Sequence, residues 1–217
     1  MSLSLPIDAD ANELLSASPL ALLIGMLLDQ QVTIEKAFTS PRDLVRRLGH
    51  EPTAAELAAF DPEALAAIFS ARPALHRYPR AMAGRVQQLC QVIVDRYGGD
   101  PVGVWAGAKT GAELLARLRE LPGFGADKAQ IFLALLGKQY GVRPKGWREA
   151  AGHFGEKGEA DAAATKALST APPAAATAAK MPARQAAPVP AKRKGGATPA
   201  DEDFDEVASI LRRHGIS

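Results

Sequence analysis

The chain has 217 residues, 26 Lys and Arg against 24 Asp and Glu, and a formal net charge of +2. With 47% hydrophobic residues and a single cysteine, it is globular in composition, close to one ordinary domain in size, and not a disulfide scaffold. The apolar run Pro19–Leu28 stops at Asp29, short of the roughly 20 residues a bilayer span needs, and no basic segment followed by an apolar one opens the chain, so a cytoplasmic protein without a membrane partner is expected.

Apolar residues recur at three-to-four spacing over the first 158 positions with no convincing alternation, which predicts an all-α fold. Helices are expected over 9–16, 19–37, 41–48, 53–59, 62–70, 77–97, 102–105, 111–120, 126–140 and 147–151. Ser18-Pro19, Ser40-Pro41, Thr53 with Glu56, and Asp61-Pro62 mark starts, each pairing a capping residue with a proline or an acid three positions on. Gly49, Gly98-Gly99, Gly107 and Gly141 are the expected reversals.

Composition changes after 158. Between Asp161 and Ala200, Lys166, Lys180, Arg184, Lys192, Arg193 and Lys194 face one acid, Asp161, amid repeated Ala and Pro, so 159–200 reads as a disordered basic linker. Its Lys192-Arg193-Lys194 run suits a tether that attracts phosphates without reading sequence. Positions 201–217 regain a helical pattern, with acids first, Phe204, Val207, Ile210 and Leu211 on one face, and Arg212 and Arg213 last. At about four turns this helix is too short to fold alone and is expected to contact a protein or fold back on the body.

The segment Leu118-Arg119-Glu120-Leu121-Pro122-Gly123-Phe124-Gly125-Ala126-Asp127-Lys128-Ala129 joins two amphipathic helices. Gly123 and Gly125 flank Phe124 and allow a ligand to approach the main chain. The free amides and positive dipole end of the helix that follows favour an anion, and Lys128 adds charge nearby. A bare G-x-G is no more than a tight corner. The wider L-x-x-L-P-G-x-G pattern resembles the helix-hairpin-helix motif that binds nucleic-acid phosphate without sequence readout.

A second clue is Leu27-Leu28-Asp29-Gln30-Gln31-Val32-Thr33, where an apolar helix ends in three polar side chains that need partners if buried. Together the two segments resemble the helix-hairpin-helix (HhH-GPD) DNA glycosylase superfamily of base-excision repair, over roughly residues 10–155. The resemblance implies a two-lobed helical body that grips double-stranded DNA by the hairpin and flips a damaged base into a cleft. It also implies that Gly123, Phe124, Gly125 and Lys128 hold a backbone phosphate. Gln30 and Gln31 would contact the lesion or the vacated stack, Gln31 standing where relatives fill the gap. The double Gln looks most like the alkylpurine-removing branch.

Two departures concern catalysis. Relatives carry an essential Asp roughly 20 residues after the second hairpin glycine; here that count reaches Lys145, and 137–155 holds no Asp and one acid, Glu149. Bifunctional relatives place a Schiff-base Lys where Asp127 stands, so no lyase step is expected. With one cysteine, Cys90, the chain cannot supply a four-cysteine iron–sulfur cluster, and no cofactor is expected.

A carboxylate is still needed to face an oxocarbenium-like sugar. Asp29, beside Gln30 and Gln31, is the first candidate and Glu149 the weaker alternative, each set against a bland reading as a local cap or a solvated helix charge. The expected protein is a monomeric, monofunctional glycosylase hydrolysing the N-glycosidic bond of an alkylated purine. The alternatives are a non-catalytic damaged-DNA-binding protein that kept the fold and a helical protein with an incidental hairpin. His50, His76, His153 and His214 show no ligand spacing, so no metal is expected. Arg77, Arg80 and Arg85 form a basic stripe, and Trp105, Trp147 and Tyr140 read as core walls with a possible stacking role for the last two.

Overall fold

The computed structural model describes residues 5–156. The linker and terminal helix expected beyond 158 lie outside the described residues. Among the described residues nine α-helices follow in order: α1 Ala9–Ala17, α2 Pro19–Leu28, α3 Ile34–Leu48, α4 Ala54–Ala59, α5 Pro62–Ser70, α6 Pro79–Tyr97, α7 Gly111–Arg119, α8 Ala126–Lys138 and α9 Trp147–Ala150. Two 3-10 turns, Pro101–Val104 and Gly152–Gly155, complete them, and among the described residues β-pairing is confined to one bridge between Thr110 and Lys145. The fold is all-α.

Three of the four expected caps are present. Ser18 accepts from the Ala21 amide at 3.2 Å, Thr53 from Glu56 at 3.1 Å and Asp61 from Ala64 at 2.7 Å, each satisfying a first-turn N–H that the helix leaves free. Two differences exceed a residue or two at a helix end. The helix expected over 19–37 breaks after Leu28, and α3 starts at Ile34, where the Thr33 hydroxyl caps the Lys36 amide. The start expected at Pro41 is absent, because α3 runs through that proline. One residue earlier, the buried Ser40 hydroxyl lies 2.6 Å from the Lys36 and Leu75 carbonyls and ties this stretch of α3 to the chain before α6.

Helix packing forms two lobes. In the first, α4 and α5 lie on α6 and α1 and α3 lie on α2; in the second, α7, α8 and α9 pack on one another. α2 is buried at every position from Leu20 to Leu28 and stands at the seam, sharing one apolar core with Leu118, Leu121, Phe124 and Phe132 of the second lobe. Small residues set the second lobe's spacing. A Cβ on Gly137 would lie 2.3 Å from the Trp147 ring, and one on Gly111 2.5 Å from the Trp147 Cα, so the indole fills the space at Gly137 and the Gly146–Trp147 backbone the space at Gly111. Trp147 and Trp105 are buried, and the Tyr140 hydroxyl donates to the Leu15 and Ser16 carbonyls at 3.2 and 3.1 Å, joining α8's exit to the end of α1.

Candidate nucleic-acid interface

The two polar motifs meet at the seam. α2 ends at Asp29, whose N–H still reaches the Gly25 carbonyl at 3.1 Å, and the next residues turn sharply, with Gln31 in the left-handed region at φ +58°. The last carbonyls of a helix have no partners within it. Here they are met by side chains from distant elements. Lys128 Nζ donates to Met26 O and Asp29 O at 2.9 Å and to Leu27 O at 3.4 Å; His76 Nε2 donates to Leu28 O at 3.1 Å and Gln30 O at 2.9 Å. His76 is buried, and its Nδ1 accepts from the Tyr78 amide at 3.0 Å. These bonds select the neutral tautomer with hydrogen on Nε2, and burial holds the imidazole pKa below its ordinary value.

Gln30 is equally constrained. Its amide nitrogen donates to Leu27 O at 2.8 Å and its oxygen accepts from Arg85. Gln31 is exposed, and its Oε1 accepts from the Tyr78 hydroxyl at 3.3 Å. Tyr78 is 43% exposed, with the Arg77 guanidinium 5.5 Å from its ring centre.

Asp29 is half-buried at a helix C-terminus, a poor place for a negative charge. Burial raises its carboxyl pKa to about 6, against the opposing pull of the Lys128 charge. Burial also lowers the Lys128 ammonium to about 8, partly countered by Asp29, with Arg85 adding to the depression.

The hairpin abuts the same turn. Gly123 has φ +80°, and a Cβ there would lie 2.5 Å from Leu27 Cδ1 and 3.3 Å from Gln30 Nε2, so this glycine is required by backbone and space alike. Gly125 is different. Its φ is −71°, a Cβ would meet nothing within 4 Å, and no side chain caps α8, leaving the exposed first-turn amides open to an anion.

Two expected contacts take other positions. Phe124 is buried edge-on against Phe132, ring centres 5.7 Å apart, and its N–H goes to Leu121 O at 3.1 Å, so it plugs the hairpin from beneath. Lys128 turns inward, because α2 presents three carbonyls to its ammonium. Glu149 is exposed on α9, whose Trp147 packs at Gly137, nine residues or about 13 Å along α8 from Lys128. The structure therefore brings together Asp29, Gln30, Gln31, Gly123, Gly125 and Lys128, and leaves Glu149 apart.

Arg85, expected in the basic stripe, turns to Gln30, and it completes the site with His76 and Tyr78, which the sequence does not place here. The signal available for them was the H-R-Y-P-R run ahead of α6, which carries an apolar ring among charges where a solvated stripe needs none.

A family model described as HhH-GPD superfamily base excision DNA repair protein matches residues 24–214. The chain belongs to that superfamily. A solved structure of a trapped endonuclease III–DNA covalent intermediate, an estranged-adenine complex, is similar at 25% identity and a TM-score of 0.40, over 58% of this chain and 49% of that one. The chain thus spans about half the length of that structural relative. No curated protein matches this chain.

Proposed function

We propose that this base-excision repair protein is a monofunctional DNA glycosylase that hydrolyses the N-glycosidic bond of an alkylated purine in double-stranded DNA, acting as a cytoplasmic monomer. The observation that carries this reading is the placement of Asp29, a half-buried carboxyl on the turn against which the hairpin glycine Gly123 packs. The open amides of α8 would hold a backbone phosphate, and Gln31 with Tyr78 would enter the stack vacated by the extruded base. As the C1′–N bond breaks, its electron pair leaves with the base. Asp29 would face the positive charge left on the sugar and accept the proton of the attacking water. A purine alkylated on a ring nitrogen leaves as a neutral base and needs no general acid, which suits a site with one carboxyl.

Lys128 supports a hydrolytic step without a lyase step, since its ammonium is engaged by three carbonyls. The donor set does not fit a four-cysteine cluster: Cys90 is the chain's one cysteine, it is buried, and burial pushes its thiol up to about 12. Among the described residues no three His, Cys, Asp or Glu side chains converge as metal ligands. The division into a 1–158 body, a 159–200 linker and a 201–217 helix belongs to the same proposal.

Base release from a panel of lesion duplexes, wild type against Asp29→Asn, tests it. Release of an alkylpurine by wild type and its loss in the variant is the expected result; unchanged release would remove Asp29 from the mechanism. A second reading, damaged-DNA binding without catalysis, is favoured by the exposed Lys145 standing where relatives carry the acid. Lesion-selective binding by wild type with no base released would establish it.

A further inference from the structure

Lys128 is one of the first residues after the hairpin turn, yet its ammonium ends about a hundred positions back in the chain, at the end of α2. Its three partners are neutral carbonyls, one of them Asp29's own, and the Asp29 carboxyl itself has no ion-pair partner within 4 Å among the described residues. A cation is favoured beside the last carbonyls of a helix by the dipole, although its burial is costly. Hydrogen-bonded to Asp29's own carbonyl at 2.9 Å, this charge also stands within electrostatic reach of the Asp29 carboxyl.

We propose that Lys128 is a positioning residue for Asp29: anchored to the last carbonyls of α2, Asp29's own among them, its ammonium favours the anionic form of that carboxyl, and the same bonds tie the Asp29 turn to the hairpin. The inference rests on the glycosylase reading for its consequence in catalysis. The groups involved are few. The Lys128 charge acts on Asp29; Asp29 and Arg85 act on Lys128; and Lys128 and Arg85 both act on His76, held neutral. A phosphate seated on the first turn of α8 would bear on the helical turn from which Lys128 reaches Asp29, so DNA grip and carboxylate would share one rigid element.

The test uses the full chain. Carbon-13 NMR titration follows the Asp29 carboxyl and the Lys128 side chain in wild type, Asp29→Asn, Lys128→Gln and Lys128→Met, alongside single-turnover base release against pH. In wild type the Lys128 signal should step where Asp29 titrates, and Asp29→Asn should lower the Lys128 midpoint, because coupling is reciprocal. Both Lys128 variants should raise the Asp29 midpoint by about one pH unit or more and move the acidic limb of the rate profile with it. Lys128→Gln keeps a donor and loses the charge, which separates the two roles. Coupling absent in wild type, or an Asp29 midpoint unmoved in folded Lys128→Gln, overturns the proposal. Should wild type couple the two groups yet release no base from any lesion, the glycosylase reading falls and the electrostatic role of Lys128 stands.

Discussion

Gly123 sits on Leu27 so closely that a single added carbon would come within 2.5 Å of its Cδ1, and the hairpin therefore seats directly on the end of α2. Gly125, two residues on, has space around it and an ordinary φ. The two glycines differ in what they serve. Gly123→Ala should destabilise the fold by about 1–3 kcal/mol through strain at positive φ and the clash. Gly125→Ala should stay within about 1 kcal/mol of wild type while weakening duplex binding, because the new methyl covers the open amides. Urea unfolding and a DNA titration on the same two variants separate these effects; equal stability loss in both would contradict the assignment.

Asp29 carries a stability cost that a structural residue would not. Its folded pKa, about 6, lies above the ordinary value of 3.8, so between these limits the native state binds more protons than the unfolded chain and stability falls as pH rises. The favourable contribution is complete below pH 3.8 and lost as pH rises through about 6. Asp29→Asn, which keeps the site neutral, should thus be more stable than wild type at pH 7 by about 2–3 kcal/mol, with the difference vanishing near pH 4. Thermal unfolding of both proteins across that range measures it. A gain in stability together with loss of base release is the signature of a group kept for function.

The hairpin is legible in the sequence because L-P-G-F-G and the helix start after Gly125 are local features. The break in the first long apolar stretch is not. Residues 19–37 carry a continuous helical pattern, and what ends α2 at Leu28 is a set of donors supplied by His76, Arg85 and Lys128, 46 to 102 positions away. The same distance explains Lys128. Read locally, a lysine in the first turn after a phosphate-binding corner points at the phosphate; only the packing of α8 against α2 reveals three carbonyls on its other side. Phe124 follows the opposite logic, since an apolar ring between two glycines finds Phe132 beneath it and leaves only the glycines at the surface.

Tyr78 and Gln31 offer a paired surface for an unstacked base, the tyrosine 43% exposed and hydrogen-bonded to the glutamine. Base–aromatic stacking contributes about 1–3 kcal/mol per base. Tyr78→Ala should therefore weaken binding to lesion duplex by about tenfold or more, whereas Tyr78→Phe, which keeps the ring, should bind nearly as wild type. Neither change removes a cation, so the slope of log affinity against log salt should be the same in all three proteins. Fluorescence anisotropy at several salt concentrations reads both quantities. A weakened Tyr78→Phe would shift the role from the ring to the Gln31 hydrogen bond.

Lys192, Arg193 and Lys194 lie outside the described residues and enter this argument only as charge. Each cation that neutralises a phosphate releases condensed counterions, which steepens the salt dependence by about 0.9 per contact on duplex DNA. Replacing all three by Gln in the full chain should therefore weaken binding to undamaged duplex and reduce the magnitude of the salt slope by about 2–3. Base release from saturated complexes should be unchanged, because Asp29, the proposed catalytic carboxyl, sits at the end of α2. The terminal segment's acids, Asp201 to Glu206, would be repelled by the same phosphates and cannot compensate. An unaltered slope with unaltered affinity would show that these three charges do not touch DNA, and phosphate contact would then rest on the hairpin and the Arg77–Arg80 face alone.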